Sequence, residues 1–174
     1  MIKINLACGN MPLPKPWKNI DKYYYPGHEE MNRADGDPKD FDWEQGDFTD
    51  LSRFGEDSVD MINLCHGLEH TYWYGAIQTL QEIYRVLKHG GKVEIEVPDL
   101  KSAFNFDTET MIDLVYGGRD ENTILLGHHC GFTRQMLQNL MEAIGFKNVR
   151  ETEVGFGTSK PESDRNFRLI GEKI

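Results

Sequence analysis

Short apolar runs alternate with polar, glycine- and proline-rich stretches along this chain, and two longer segments repeat their apolar residues at helical spacing. Residues 2–6 form the first run and lead into Ala7, Cys8, Gly9 and Asn10. That pattern predicts a buried strand entering a tight loop. Prolines at 12, 14 and 16 exclude a regular helix next, because proline removes amide donors and clashes with the preceding turn. Residues 17–23 predict a second short strand with Asp21 near its end, and residues 24–45 read mainly as loop. A short third strand is expected over 42–45, before Gly46, Asp47 and Phe48.

The middle of the chain is patterned more clearly. Residues 58–65 are apolar enough for a central strand. Ala76, Ile77, Leu80, Ile83, Tyr84 and Leu87 fall on one helical face, which predicts an amphipathic helix over about residues 73–88. His89, Gly90 and Gly91 should end it by accepting positive φ. Val93, Ile95 and Val97 alternate as a strand that Pro98 stops. A second helix is expected over 133–144, with Thr133 as N-cap and Gly145 just past its end. Residues 146–154 and 166–171 read as two closing strands.

Strands alternating with helices predict an α/β sheet with parallel crossovers, and such sheets bind ligands beyond the carboxyl ends of their strands. The loops after the first strands are therefore the candidate site. Ala7, Cys8 and Gly9 are small enough to bring backbone amides close to a ligand. Asp21 can accept both hydroxyl protons of a ribose, and Asp47 with Phe48 can hydrogen-bond and cover a purine. Each also fits ordinary turn chemistry; taken in order, they outline a nucleoside.

Length and charge narrow the picture. The 174 residues suffice for one domain, spanning 1–174, and not for two cores. A net charge of −10 repels phosphate backbones and argues against a broad nucleic-acid surface. Cys8, Cys65 and Cys130 are widely spaced and match no disulfide framework or cysteine-based zinc site. With no signal-like start and no apolar run of membrane-spanning length, a cytoplasmic location without membrane contact is expected. No bound metal is expected.

The motifs resemble a known family. Leu6-Ala7-Cys8-Gly9-Asn10 followed by Trp17-Lys18-Asn19-Ile20-Asp21 is similar to the opening of class I S-adenosylmethionine-dependent methyltransferases. His66-Gly67-Leu68-Glu69-His70 resembles their H-x-L-E-H segment, and the run from Glu82 to Gly91 their E-x-x-R-V-L-K-P-G-G signature. The resemblance implies a Rossmann-like, doubly wound, mostly parallel seven-stranded sheet with an antiparallel last strand. It implies S-adenosylmethionine as cofactor, held by Ala7, Cys8, Gly9, Asn10, Asp21, Asp47, Phe48, Cys65 and His66, and methyl transfer to a small-molecule or glycan acceptor. Ala7 and His89 stand where the family usually has glycine and proline. Only eleven residues separate Gly9 from Asp21, so the first crossover is shortened.

Methyl transfer is an in-line displacement that needs positioning and, for some acceptors, a base. His66, His70, His128 and His129 are the candidate catalytic residues, since imidazole titrates near neutrality, and Asp99 faces the same crevice. Glu69 and His70 equally suit a structural role pinning a loop. Two other readings compete. One is a cofactor-binding relative without transfer activity. The other is a zinc hydrolase, because His66-x-x-Glu69-His70 matches the H-x-x-E-H pattern, which requires a helix with both histidines on one face. Residues 101–130 form the expected insert over the acceptor site, with Phe104, Phe106, Met111, Leu114, Tyr116, Leu125 and Leu126 as an apolar wall and Gly117-Gly118 as a break.

Overall fold

The computed structural model describes residues 1–9, 11–23, 38–117, 127–153 and 165–174. Seven strands make one sheet in the order β3-β2-β1-β4-β5-β7-β6. They are β1 (Lys3–Leu6), β2 (Trp17–Asp21), β3 (Asp42–Gln45), β4 (Val59–Cys65), β5 (Leu87–Pro98), β6 (Lys147–Thr152) and β7 (Asn166–Glu172). β1 to β5 run parallel, and β7 lies antiparallel to both β5 and β6. This is the expected doubly wound sheet with an antiparallel last strand. No helix stands in the first crossover among the described residues, as the prolines required. Its backbone is tied instead to Asn19, whose side chain bonds both the amide and the carbonyl of Leu13.

Among the described residues four α-helices complete the fold: α1 (Trp73–Val86), α2 (Leu100–Ala103), α3 (Thr108–Tyr116) and α4 (Arg134–Ile144). α1 buries Ala76, Thr79, Leu80, Ile83 and Val86, one stripe at helical spacing. Thr133 caps α4 by accepting from the Met136 amide, and Gly145, at φ 132°, closes it. The core consists of residues such as Ile62, Leu64, Val93 and Ile95 from the central strands with Leu80, Ile83 and Leu137 from the helices, all fully buried. None of the described helices is long and apolar enough to cross a membrane.

Several boundaries differ from expectation, and β2 ends at Asp21 rather than at Tyr23. α1 ends at Val86 rather than near 88, because Leu87 is already extended and pairs with Val59. The segment around Gly90 (φ 81°) therefore forms an irregularity within the β4–β5 pairing, where the register jumps from Leu87 to Lys92. β6 stops at Thr152, and Val154 lies outside the described residues.

One polar feature crosses the sheet. Asn19, Asn5 and Asn63 are buried and stand in register on β2, β1 and β4. Asn63 donates to Asn5 at 2.7 Å and Asn5 donates to Asn19 at 2.9 Å.

Candidate active site

The carboxyl ends of β1, β2, β3 and β4 open onto a cavity of about 290 Å³. Ala7, Gly9, Asp21, Asp47, Phe48 and His66 all line it, so the fold brings these sequence-selected residues together. Cys8 and Cys65 line a smaller adjoining cavity of about 140 Å³ with Ala7, Gly9 and His66. Asn10 lies outside the described residues. Lys22, Tyr23, Thr49 and Thr71 also line the main cavity, and the sequence carried no signal that singled them out.

Asp21 organises the first two loops. One carboxylate oxygen accepts from the Gly9 amide and the other from the Tyr23 amide, both at 2.8 Å. A carboxylate has several lone pairs, so it can take ribose hydroxyls in addition to these amides. Asp47 accepts from the Thr49 amide and hydroxyl and pairs with Lys22 at 3.2 Å. Partial burial works against its charge, but these hydrogen bonds win and hold its carboxyl below the usual range. Burial pushes the Cys8 and Cys65 thiols well above their ordinary range, and Cys130 up to about 11. None of the three is a poised nucleophile.

The two central loops meet at close quarters. Ala7 and His66 both adopt positive φ, at 50° and 51°, the kind of strain that clusters at functional sites. Between them, a Cβ on Gly67 would stand 2.7 Å from the Ala7 Cβ and 2.7 Å from Leu64 Cδ1. Gly67→Ala is therefore expected to displace the Ala7–Gly9 loop and to cost about 1–3 kcal/mol of stability, as overpacking does. Urea denaturation checks this; an unchanged midpoint would refute the close approach.

His66 sits over a buried charge network. Its Nδ1 lies 3.1 Å from Glu69 Oε1, and its Nε2 faces Glu96 Oε1 at 3.4 Å. Glu96 Oε2 accepts from Arg168 Nε at 2.9 Å, and Arg168 reaches Glu94 at 3.0 Å. Burial lowers the His66 pKa, but the Glu69 and Glu96 carboxylates outweigh it and push the group up to about 10. The imidazole is held protonated at neutral pH, a state that donates hydrogen bonds and cannot accept a proton. Burial likewise opposes the Glu69 charge, and His66 more than offsets it. Glu96 and Arg168 escaped the sequence reading, although charged residues at 94, 96 and 168 interrupt otherwise apolar strands.

The other histidines lie outward from His66. His70 borders the main cavity and a neighbouring groove of about 490 Å³, which Tyr72 and His129 also line. His129 is exposed, and its ring stacks on Tyr72 with centroids 4.6 Å apart. His128 packs edge-on against His70 at 5.0 Å, and burial lowers its pKa. Leu68–His70 is a single 3-10 turn, with His66 before it in a left-handed conformation. The helix that would turn both histidines of H-x-x-E-H to one face is not formed.

Of the insert residues, Phe104 and Tyr116 are 71% and 67% exposed, and α3 buries no side chain. Leu125, Leu126 and Gly118 lie outside the described residues. Asp99 turns from the crevice: it is buried, caps α2 through the Lys101 amide and pairs with Arg134.

Comparison with known proteins agrees with this geometry. A family model described as a methyltransferase domain matches residues 17–151. A SAM-dependent methyltransferase from Archaeoglobus fulgidus superposes with a TM-score of 0.64 at 16% identity, over 98% of this chain and 85% of its own. One from Methanosarcina mazei gives 0.63 at 16% identity, over 99% and 92%. Human N-acetylserotonin methyltransferase, in complex with SAM, gives 0.60 at 13% identity, over 99% and 47%. No curated protein matches the sequence. At these identities the structural likenesses carry the fold, and the family model carries the family.

Proposed function

Because this chain belongs to the methyltransferase-domain family, with S-adenosylmethionine the expected methyl donor, we propose that it methylates a small-molecule or glycan acceptor by in-line displacement. The carrying observation is the single cavity that gathers Ala7, Gly9, Asp21, Asp47, Phe48 and His66 at the strand ends. When bound, the donor supplies an electrophilic methyl group on a sulfonium. Asp21 would take the ribose hydroxyls, the Ala7–Gly9 loop would approach the amino-acid end, and Asp47 with Phe48 would face the base. His66 and Cys65 close the floor beside the sulfur. His70 and His129 border the groove where an acceptor would lie, with His128 behind them. His129 is the side chain proposed to take a proton there, since the charged state of His66 leaves it a positioning role.

We place the whole chain, 1–174, in one domain and assign 101–130 as its acceptor-site insert, from which His129 reaches the groove. A cytoplasmic setting suits the three cysteines, all of which are thiols.

Calorimetric titration with S-adenosylmethionine tests the reading. Asp21→Ala removes a charged acceptor and is expected to weaken affinity by about 2–3 kcal/mol. Unchanged affinity in the variant would sink the ribose assignment. Wild-type protein that binds the donor, yet forms no S-adenosylhomocysteine with any acceptor in a broad metabolite screen, would favour the non-catalytic relative.

A further inference from the structure

Glu69, His70 and His128 form a cluster that the methyl-donor site does not use. A carboxylate oxygen of Glu69 and one ring nitrogen of each histidine lie within 4.8 Å of one another. The Glu69 side chain is only 2% exposed. Its Oε1 is engaged by His66, whereas Oε2 is buried with no hydrogen-bond partner. A buried carboxylate oxygen left unsatisfied is costly and calls for a physical cause. Both histidines are oriented in a way that answers it. His70 Nδ1 faces the Gly127 carbonyl at 3.4 Å, and His128 Nδ1 faces the Leu114 carbonyl at 3.0 Å. A carbonyl only accepts, so Nδ1 is the donor in each contact and Nε2 is the ring nitrogen left to ligate. Ligating histidines are characteristically held this way by outer-shell acceptors.

We propose that Glu69, His70 and His128 bind one divalent transition-metal ion at the mouth of the methyl-donor cavity, which His70 lines. Two imidazoles and one carboxylate suit zinc and its neighbours, and three protein ligands leave a position open for an oxygen. Bonds of 2.0–2.1 Å at tetrahedral angles set ligand atoms about 3.3 Å apart, so the side chains close by small rotations. The second mixed cluster, Cys65, His66 and Glu96, is a poorer candidate, because both ring nitrogens of its one histidine already face carboxylates.

The ion would define the acceptor class, an inference that rests on the methyltransferase reading. An acceptor hydroxyl bound at the open position becomes acidic and loses its proton to His129. Its oxygen then bonds to the methyl carbon as the carbon–sulfur bond breaks, and the electron pair stays on sulfur as the neutral thioether. From sequence no metal is expected, because residues 66–70 follow an apolar strand and carry Gly67, which suits a loop better than a ligating helix. His128 joins the cluster across a separation of 58 residues from His70, which spacing does not reveal.

The test is titration of the metal-stripped full chain with Co²⁺, followed by visible absorption, and with Zn²⁺, followed by calorimetry. One ion per chain is expected, with a nitrogen–oxygen ligand-field spectrum and no thiolate charge-transfer band. His128→Ala and Glu69→Gln should each weaken binding by about 100-fold or more, since outer-shell losses alone reach 10–100-fold. If Glu69→Gln fails to fold, the wild-type spectrum and His128→Ala still decide. No saturable binding, a thiolate band, or undiminished affinity in His128→Ala would each overturn the proposal. Parallel titration with S-adenosylmethionine separates the two readings. Donor binding without metal binding removes only the metal, whereas failure to bind the donor removes the proposed function itself.

Discussion

Arg168→Met is expected to destabilise the protein by about 3–5 kcal/mol, the usual result of removing one partner from a buried ion pair. Arg168 is 2% exposed, and its guanidinium answers Glu96 at 2.9 Å and Glu94 at 3.0 Å. Without it, Glu96 remains fully buried beside His66, with Glu69 on the far side of the same imidazole. Most of the loss is the cost of an uncompensated charge rather than the worth of the pair. A second substitution, Glu96→Gln, should therefore restore part of the stability in the Arg168→Met background. Equilibrium urea unfolding measures both; a single variant within about 1 kcal/mol of wild type would mean that water reaches Glu96.

His129→Ala is expected to lower turnover about 100-fold or more, the common contribution of a general base, while donor affinity stays unchanged. The division follows from position. His129 lines the outer groove with His70 and Tyr72 and does not line the cavity that holds Asp21 and Phe48. Its main-chain amide donates to the Glu69 carbonyl at 2.8 Å, a contact the substitution preserves, so the fold should tolerate the change. The measurement needs an acceptor and compares kcat with the donor dissociation constant. Full turnover in the variant would leave catalysis to positioning alone.

What could be read in the sequence was what neighbours along the chain decide. Thr133 and Gly145 bracket α4 because capping is local, and the prolines after β1 rule out a helix without reference to anything distant. The cavity residues were legible for a related reason: strand ends are marked by short apolar runs, and a parallel sheet sends those ends to one edge. Errors came where distant partners decide. Leu87 has the spacing of a helical residue, yet β4 recruits it into the sheet through Val59. Glu96 and Arg168 meet only through the antiparallel pairing of β5 with β7. His66 has the reference titration of a base until two carboxylates from separate elements enclose it. Asp99 lies at the crevice by sequence order but is claimed by Arg134 at the start of α4.

The asparagine ladder across β2, β1 and β4 bears on how faithfully the sheet assembles. Parallel strands buried on both faces are nearly uniform in apolar character, so hydrophobicity alone scarcely distinguishes one alignment from another two residues away. In the native alignment Asn5 stands opposite Asn19 and Asn63, and its amide serves both neighbours. Sliding β1 by two residues against β2 would set Asn5 against Trp17 or Asp21 and take the Asn5 amide away from its acceptor on Asn19. Each stranded group costs roughly 1–3 kcal/mol, so misaligned chains are penalised at every rung. Three small side chains thereby act as a proofreading device for strand alignment, and they stand one residue before the end of β1 and two before the ends of β2 and β4, where the cavity begins.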